Sequence, residues 1–331
     1  MALLLSEADV KSVLTMRLAL EAVEDSFLRL ADRRAILHSR QRLHVPGKTI
    51  LNYMAAADGA SGYIGLKIYT IARGVARFLV LLYGVESGQL VALIEADYLG
   101  QMRTGAASGV ATRLMARQDA RIAAIIGTGL QARTQLEAVA AVRDLEGIRA
   151  FGRDMERRER FATEMSSRLG VDVKPVASAE EAVRGAGILI TSTTSKDPVL
   201  EGRWLEPGMH INAIGVNQAQ KREIDAEAVG RCDLIAADSR EQSKIEAGDL
   251  IQAFRGDESR WDGVYEFSDI VAGKIPGRQN RNQITLYKSN GIAIQDVTVA
   301  GRIYELARQR GLGREISTWG DEALAAGGRG V

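Results

Sequence analysis

The chain has 331 residues, and its 43 lysines and arginines nearly balance its 42 aspartates and glutamates, which leaves a formal charge of +1. This length is more than one compact core usually accommodates, so we expect two domains. A charge so near zero gives no basic field for nucleic acid or an anionic membrane, and the apolar runs are too short to span a bilayer. The single cysteine, Cys232, cannot form an internal disulfide and suits a reducing cytoplasm. The three histidines show no metal-ligand spacing, so we expect no metal site.

The first part of the chain has a mixed pattern. Residues 6–34 are typical of two consecutive helices, and residues 39–94 contain short β-rich runs separated by polar turns. A helical pattern from Leu99 to Arg117 then leads into the next domain. We therefore predict an α+β domain. Its main strands are expected at residues 50–54, 63–71, 78–83 and 90–94.

An apolar run from Ile122 to Ile126 ends in Gly127-Thr128-Gly129, and a helical pattern begins directly after it. Gly127 allows the tight turn, Gly129 lets a pyrophosphate approach the backbone, and Ala132 lets the helix pack closely on the strand. The helix N-terminus presents unpaired N–H groups and the positive end of its dipole to phosphates. Because the strand and the helix that this motif requires are both present, it predicts dinucleotide binding rather than an ordinary glycine turn.

Strand and helix patterns then alternate as far as Ala237, which predicts a doubly wound parallel sheet, an α/β fold of the Rossmann type. We interpret residues 257–284 as loop and helix fragments and predict a last helix from Asp296 to Arg310. The end of the chain, residues 327–331, is expected to be frayed. After the first strand of this sheet, further strands are expected at residues 148–151, 171–176, 188–191, 211–214 and 234–237.

The residues directly after the second strand of this sheet bear on the choice of cofactor. An acid there would bind the ribose hydroxyls of NAD, but Gly152 stands at the expected position and Arg153 follows it. A guanidinium can bind a 2′-phosphate with paired hydrogen bonds, so the sequence favours NADP(H). Asp154 leaves NAD(H) possible, and Arg153 could also be a solvated arginine of a charged loop.

Small and polar residues follow two later strands. Thr191, Ser192 and Thr193 end one strand, and residues 214–217 end the next. Ligands bind beyond the carboxyl ends of the strands in a doubly wound sheet, so we expect these residues to lie along the cofactor. The same residue types dominate ordinary turns, and that interpretation remains open at this point.

The first domain offers basic residues rather than a histidine dyad or a carboxylate pair. Lys67 lies in an otherwise apolar strand pattern, where an unpaired ammonium is costly and its pKa can fall. Arg103, at a helix start, could clamp a carboxylate with two parallel hydrogen bonds, and Arg42 is a further candidate. Each of them could instead be a surface charge.

Six motifs, taken in this order, resemble those of the ornithine cyclodeaminase/mu-crystallin family, and the resemblance extends over nearly the whole chain. They are Gly65-Leu66-Lys67, Met102–Ser108 (MRTGAAS), Gly127–Ala132 (GTGLQA), Leu205–Gly215 (LEPGMHINAIG), Ala247–Leu250 (AGDL) and Leu286–Gly291 (LYKSNG). The resemblance implies that residues 1–118 with 300–331 form a substrate-binding and dimerisation domain. Residues 119–299 would form the Rossmann dinucleotide-binding domain. It also implies a homodimer in which exposed strands of the first domain meet across the interface.

The resemblance further implies roles for individual residues. Arg42, Lys67 and Arg103 would bind the substrate carboxylate, with Lys67 as the proton donor or acceptor, and Asn290 would also contact the substrate. Taken together, the glycine turn, the strand ends and the resemblance predict these cofactor residues: Gly127, Gly129, Leu130, Gln131, Ala132, Arg153, Thr191, Ser192, Thr193, Ile214, Gly215, Val216, Asn217, Lys221 and Ser289.

Asn217 departs from the family pattern, because cyclodeaminases and several dehydrogenases of the family carry an aspartate at its position beside the reacting atoms. An asparagine cannot ionise, so the base role of that carboxylate is absent. We therefore predict an NAD(P)-dependent oxidoreductase that reduces a small carboxylated imine to the amino acid, or catalyses the reverse. The alternatives are a redox-neutral cyclodeaminase of the ornithine type and a non-enzymatic, NADPH-dependent small-ligand binder of the mu-crystallin type.

Overall fold

The structure is a computed structural model that describes residues 1–318, so the predicted frayed end at 327–331 lies outside the described residues. In chain order its helices are α1 (Glu7–Val13), α2 (Met16–Ala31), α3 (Asp97–Met115), α4 (Leu130–Val142), α5 (Met155–Leu169), α6 (Ala179–Val183), α7 (Ala226–Gly230), α8 (Arg240–Glu246), α9 (Gly248–Ala253), α10 (Phe267–Val271) and α11 (Ala293–Gln309). Short 3-10 helices cover Gly202–Trp204 and Glu258–Gly263.

The strands belong to two sheets. In chain order they are β1 (Ala2–Leu5), β2 (Ala35–Leu37), β3 (Gln41–Val45), β4 (Thr49–Asp58), β5 (Tyr63–Ala72), β6 (Val75–Gly84), β7 (Leu90–Glu95), β8 (Ile122–Ile126), β9 (Gly147–Phe151), β10 (Val173–Pro175), β11 (Ile188–Thr191), β12 (His210–Ala213), β13 (Leu234–Ala237), β14 (Val264–Glu266), β15 (Thr285–Lys288) and β16 (Arg314–Ile316).

The first sheet has the order β16-β1-β7-β6-β5-β4-β2, with β3 also paired to β4, and it is antiparallel except where β1 meets β7. Along β4, β5 and β6 buried residues alternate with partly exposed ones, as expected of strands with one face on a core. The buried face contains Met54, Val80 and Leu82, and it shares a core with residues of α3 and α11. Lys67 lies on the same buried face.

The second sheet is parallel throughout, with the order β10-β9-β8-β11-β12-β15-β13-β14. The chain runs outwards from β8 to β10 on one side and returns to place β11 on the other side of β8. A crevice opens beyond the carboxyl ends of strands at such a switch point, which is where dinucleotides bind in doubly wound folds. The predicted fold class, a Rossmann-type domain with an additional α+β domain, is confirmed.

Several elements differ from the sequence predictions. Strands β1, β2, β14, β15 and β16 were not predicted, because runs of three or four residues carry too little periodicity to be recognised. The last helix begins at Ala293 rather than at Asp296. Its buried residues pack with the core of the first sheet, and the predicted domain boundary between residues 299 and 300 falls inside it. A boundary before Ala293 would instead keep the whole helix with the first sheet.

Candidate active site

Two cavities lie along the carboxyl ends of the parallel strands. The first, of about 420 Å³, is formed by the ends of β8, β9 and β11. The second, of about 490 Å³, is lined by residues of both sheets. Of the predicted site residues, the first cavity is lined by Gly127, Gly129, Arg153, Ser192 and Thr193. The second is lined by Lys67, Arg103, Gly129, Leu130, Gln131, Ser192, Thr193, Ile214, Gly215, Asn217, Ser289 and Asn290.

The glycine turn between β8 and α4 has the geometry that a pyrophosphate requires. Gly127 has a φ of +110°, and a Cβ there would collide with the backbone of Ser192. Gly129 has no heavy atom within 4 Å of its would-be Cβ, so its surroundings are open to a ligand. No side chain caps the N-terminus of α4, and Leu130 at its start is 69% exposed. The free N–H groups and the exposed leucine fit the phosphates and the covering contact of a dinucleotide.

The first cavity, called the outer cavity below, is basic at the end next to β9. Arg153 and Arg157 both line it, and neither has an ion-pair partner within the described part of the chain. A Cβ at Gly152 would lie 2.7 Å from Thr128 Oγ1, so a larger residue at that position would require Thr128 to move. Asp154 accepts the N–H of Arg157 at 2.9 Å as the N-cap of α5. Both a guanidinium, that of Arg153, and a carboxylate, that of Asp154, therefore line the cavity after β9, where the adenosine ribose of a dinucleotide would lie.

The second cavity, called the inner cavity below, contains Lys67, which is only 2% exposed. Its Nζ lies 2.6 Å from Asp296 Oδ1 and 5.2 Å from the centre of the Phe78 ring. Burial lowers the pKa of Lys67 from 10.5 to about 8, with Asp296 opposing this effect and Arg103 adding to it. A lysine with such a pKa can both give and take a proton near neutral pH.

Asp296, in the first turn of α11, is completely buried and was not predicted as a site residue. Its Oδ1 also accepts Arg103 Nε at 3.2 Å, while its Oδ2 is buried without a partner within residues 1–318. Burial alone would raise the pKa of Asp296, but Arg103 and Lys67 outweigh it and hold the pKa below its usual value. One carboxylate thus faces two cations, and the pair of cations keeps an unbalanced positive charge.

Arg40, rather than the predicted Arg42, lines the inner cavity. The Arg40 guanidinium is paired with Glu246 and donates to the carbonyl oxygens of Asn290 (2.9 Å) and Gly291 (3.1 Å). Arg42 lies outside the cavity lining, where it donates to Glu246 Oε2 at 2.6 Å and to the carbonyl oxygen of Asn217 at 2.9 Å. The role of Arg42 at the substrate carboxylate therefore stays a prediction, and Arg40 is a second candidate for it.

A buried carboxylate, Glu223, joins the loops that follow β11 and β12. It accepts hydrogen bonds from Thr191 Oγ1 (3.0 Å), the N–H of Thr193 (2.6 Å) and the N–H of Gly215 (2.7 Å). Burial and the neighbouring Asp249 raise the pKa of Glu223 to about 7. This contact fixes two of the loops that line the inner cavity.

Two further buried charges continue this network. Asp249 accepts the N–H of Glu223 at 2.6 Å and pairs with Lys288 at 2.7 Å. Lys288 Nζ also donates to the carbonyl oxygen of Val216 at 2.6 Å. Glu223, Asp249 and Lys288 were not predicted as parts of the site, although Asp249 lies in the motif AGDL and Lys288 in the motif LYKSNG.

Another buried acid, Asp238, fixes the loop after β15. Its Oδ2 accepts the N–H groups of Asn290 (2.8 Å) and Gly291 (2.7 Å), and it also accepts Ser289 Oγ at 3.2 Å. Asn290 Nδ2 donates to Ser243 Oγ at 2.7 Å, whereas its Oδ1 is buried without a partner in the described part of the chain. The predicted residues Ser289 and Asn290 are therefore held at the cavity wall from behind.

Four predicted cofactor residues do not line either cavity. Ala132 is buried in the core beneath the glycine turn, and Thr191 is buried against Glu223. Val216 is buried and offers its carbonyl oxygen to Lys288, while the carbonyl oxygen of Lys221 packs against Gly248. These residues support the walls through packing or backbone contacts.

Within residues 1–318 there is neither a candidate metal site nor a candidate membrane-spanning helix. No group of three or more His, Cys, Asp or Glu side chains within residues 1–318 could hold a metal ion. None of the helices in that range is long and apolar enough to cross a membrane.

Comparison with known proteins supports the interpretation of these motifs. The profile of the ornithine cyclodeaminase/mu-crystallin family matches residues 1–311. A Delta(1)-pyrroline-2-carboxylate reductase of Bacillus cereus is 35% identical over 282 residues, which are 81% of this chain and 84% of the relative.

Solved structures show the same likeness over the whole fold. The Thermococcus litoralis Delta(1)-pyrroline-2-carboxylate reductase in complex with NADH and L-proline superposes with a TM-score of 0.91 at 37% identity, covering 95% of this chain and 100% of that one. An archaeal alanine dehydrogenase dimer with bound NAD also gives a TM-score of 0.91, at 32% identity, covering 96% and 99%. The chain belongs to the ornithine cyclodeaminase/mu-crystallin family, as its motifs predicted.

Proposed function

We propose that this protein uses NAD(P)H to reduce a small cyclic imine that carries one carboxylate. The broader class is established by its relatives: the chain is an NAD(P)-dependent oxidoreductase of imino or amino acids. The observation that supports the narrower proposal is the position of Lys67 beside Arg103, in the same cavity as the strand-end loops that would hold the cofactor.

The open turn at Gly129 and the uncapped start of α4 fit the cofactor, which would supply a hydride to the imine carbon when bound. Arg103 and Arg40 would bind the substrate carboxylate through parallel hydrogen bonds. Lys67 would give a proton to the imine nitrogen. Asn217 at the cavity wall can accept or donate a hydrogen bond, but it cannot act as a base. Orientation of the substrate by these fixed groups would account for much of the rate.

The rest of the inner cavity indicates the substrate's remaining shape. Met54, Tyr69, Ile71 and Phe78 contribute the wall on the side of the first sheet. None of the residues that line this cavity within the described chain is Asp or Glu, and its lining cations are Arg40, Lys67 and Arg103, which the proposed monocarboxylate already engages. Such a wall suits a hydrocarbon ring better than a second carboxylate or a terminal ammonium. The proposed substrate class is therefore a ketimine of the pyrroline-2-carboxylate type.

The test is a substrate panel followed by the loss of nicotinamide absorbance. It contains pyrroline-2-carboxylate, the six-membered ring homologue, pyruvate with methylamine, and oxaloacetate with ammonia. We expect the cyclic imines to be reduced fastest and the dicarboxylic substrate slowest. The converse order would overturn the substrate class.

The two alternatives predict other outcomes. Ornithine with catalytic NAD, followed for proline and ammonia together, tests the cyclodeaminase, and stoichiometric release of both would replace the reductase proposal. Saturable binding of an imino acid without turnover of any panel member would instead support a non-enzymatic binder.

For the cofactor, we propose that NADPH is preferred over NADH. Arg153 and Arg157 stand unpaired at the outer cavity within the described residues, and Gly152 stands where an acid would bind the ribose hydroxyls of NADH. Arg153→Ala should weaken NADPH binding by about tenfold and leave NADH binding nearly unchanged. Fluorescence titration of the parent protein with both cofactors measures this, and tighter binding of NADH would refute the assignment.

For the assembly, we propose a homodimer formed through the outer face of the first sheet. Leu66 pairs with Leu81 and Ile68 with Leu79 on this face, and all four are only partly buried. Ile36 and Ile64 nearby are 67% and 45% exposed. An apolar sheet face of this kind indicates an interface between protein surfaces.

Light scattering at micromolar concentration should give a dimer mass for the parent protein. Ile68→Lys should shift the mass towards the monomer, because it would place a charge within the apolar face. Glu86→Lys, in the turn outside this face, is the matched control and should leave the dimer intact. A monomeric parent protein would refute the proposal.

As the site of action we propose the cytoplasm, where NADPH is kept reduced and the lone Cys232 would stay a thiol. Burial raises the pKa of this thiol to about 12, so it is inert at neutral pH. Fractionation of the producing cell with an antibody against the protein tests this.

A further inference from the structure

We infer that Asp296 is the positioning residue that keeps Lys67 protonated and aimed at the imine nitrogen. This inference rests on the proposed function for its meaning in catalysis, but not for its physical content. Asp296 reaches Lys67 from α11, which is 229 residues away along the chain, and it lies behind the lysine rather than in the cavity lining.

The ion pair between Asp296 and Lys67 is short, buried and shared with a second cation. Asp296 Oδ1 accepts both Lys67 Nζ at 2.6 Å and Arg103 Nε at 3.2 Å, and all three side chains are largely buried. Arg103 Nη1 donates to Gln295 Oε1 at 3.2 Å, which fixes the guanidinium from the same helix. The first turn of α11 favours a negative charge, because the helix dipole is positive there. Asp296 is therefore held as an anion at a fixed distance from the lysine.

The other charged groups around Lys67 lower its pKa and so favour its neutral form. Arg103 on α3 and Arg40, which precedes β3, are both cationic, and each lowers the pKa of the lysine. The neighbouring strands present only Met54 on β4, and Val80 and Phe78 on β6, none of which titrates. Buried lysines without a counter-charge titrate at a pKa of about 5 to 6. Asp296 is the one anion in contact with Lys67 within the described residues.

The protonated form is the one that the reduction needs. As the imine C=N bond becomes a single bond, its carbon gains the hydride and its nitrogen gains a proton. That proton comes from Lys67 Nζ, which is left as a neutral amine and is recharged from solvent after the product leaves. A neutral Lys67 at the start of the cycle would have no proton to give.

The experiment measures the titration of Lys67 directly. Trace acetylation with acetic anhydride, followed residue by residue by mass spectrometry across pH, reports the fraction of neutral lysine without any turnover. In Asp296→Asn the pKa of Lys67 should fall by at least about one unit, because a charge in direct contact is lost. The descending limb of kcat for imine reduction should move to lower pH by the same amount.

A matched control comes from Asp58, another completely buried carboxylate that contacts α11. It pairs with Arg29 and accepts Thr298 Oγ1 at 3.0 Å, and it does not face Lys67. Asp58→Asn should leave the Lys67 titration and the pH profile where they are. Asp296→Ser replaces the asparagine variant if the latter does not fold. In the parent protein, a Lys67 pKa below about 6 would show that Asp296 does not stabilise the protonated lysine, and it would overturn the inference.

The outcomes separate this inference from the proposed function. An unchanged Lys67 titration in the Asp296 variants overturns the inference, whatever the enzyme reduces. A lowered pKa together with no imine reduction by the parent protein supports the inference and removes the proposed function. A fall in kcat that is the same at every pH, with the titration unmoved, would mark Asp296 as a merely structural residue.

Discussion

The two sides of the inner cavity are built from different materials. The side that we propose for the cofactor, called the cofactor side below, consists of backbone groups, glycines and small hydroxyls at strand ends, as at Gly129, Ser192 and Gly215. The side that we propose for the substrate, called the substrate side below, consists of long charged side chains: Arg40 from a loop, Lys67 from the first sheet and Arg103 from α3. Phosphates and a flat ring need close backbone approach, whereas a carboxylate needs fixed guanidinium groups. Each set of groups suits the ligand that we propose for it.

The buried acids on the two sides also differ in the groups that they bind. On the substrate side the cations and their acids face each other directly, as Lys67 does with Asp296. On the cofactor side the acids stand behind the wall and bind its backbone N–H groups, as Glu223 and Asp238 do. Substitutions on the substrate side should therefore change chemistry, and those behind the cofactor side should change affinity and stability.

The largest effect is expected at Lys67, where the substrate side would carry out proton transfer. Lys67→Ala should lower kcat by about two orders of magnitude or more, because general acid catalysis contributes roughly that much. Its affinity for NADPH should stay within about twofold, since the cofactor side is untouched. Steady-state kinetics and fluorescence titration measure the two. Lys174→Ala on exposed β10 is the control, and an equal loss of cofactor affinity and kcat in Lys67→Ala would break the comparison.

A smaller effect should separate Arg40 from Arg42. Arg40→Lys keeps the charge beside Glu246 but loses the guanidinium fork, so the KM for the imine should rise by about tenfold. Arg42→Lys, outside the cavity lining, should raise the KM by less than about twofold. The two variants are controls for each other. The reverse order would favour Arg42 as the residue that binds the substrate carboxylate, as the family resemblance implied.

The cofactor side could be predicted because its signals are local. Gly127, Gly129 and Ala132 lie within six residues, between a strand and a helix that are themselves recognisable. Each strand end also marks its own position at the edge of a parallel sheet. The sequence therefore placed Ser192, Thr193 and Gly215 at the cavity that the structure shows.

The substrate side could be predicted only in part, because its contacts join distant residues. Lys67 and Asp296 are 229 residues apart, and Arg40 and Glu246 are 206 apart. Arg40 precedes β3 while Arg42 lies within it, so the alternation of strand side chains could not decide between them. Asp296 and Glu223 gave no signal at all, since a lone acid in a helix or loop is usually solvated.

The last prediction concerns Glu223, the acid behind the cofactor side, and its effect is the smallest. Burial raises the pKa of Glu223 to about 7, above the 4.5 of an exposed glutamate, so the folded protein holds a proton that the unfolded chain has released between these values. The free energy of unfolding should therefore fall as pH rises through this window. From about pH 5 to about pH 6 the loss should be about 1 kcal/mol, close to the limit for one proton. Glu223→Gln has no such proton, so its stability should lack this slope, and the parent minus variant difference in urea unfolding isolates it. Since one amide oxygen cannot accept both backbone N–H groups as a carboxylate does, the variant should also bind NADPH a few-fold more weakly, with kcat nearly unchanged. Parallel stability curves for the two proteins would show that Glu223 is ionised throughout and that its three donors outweigh its burial.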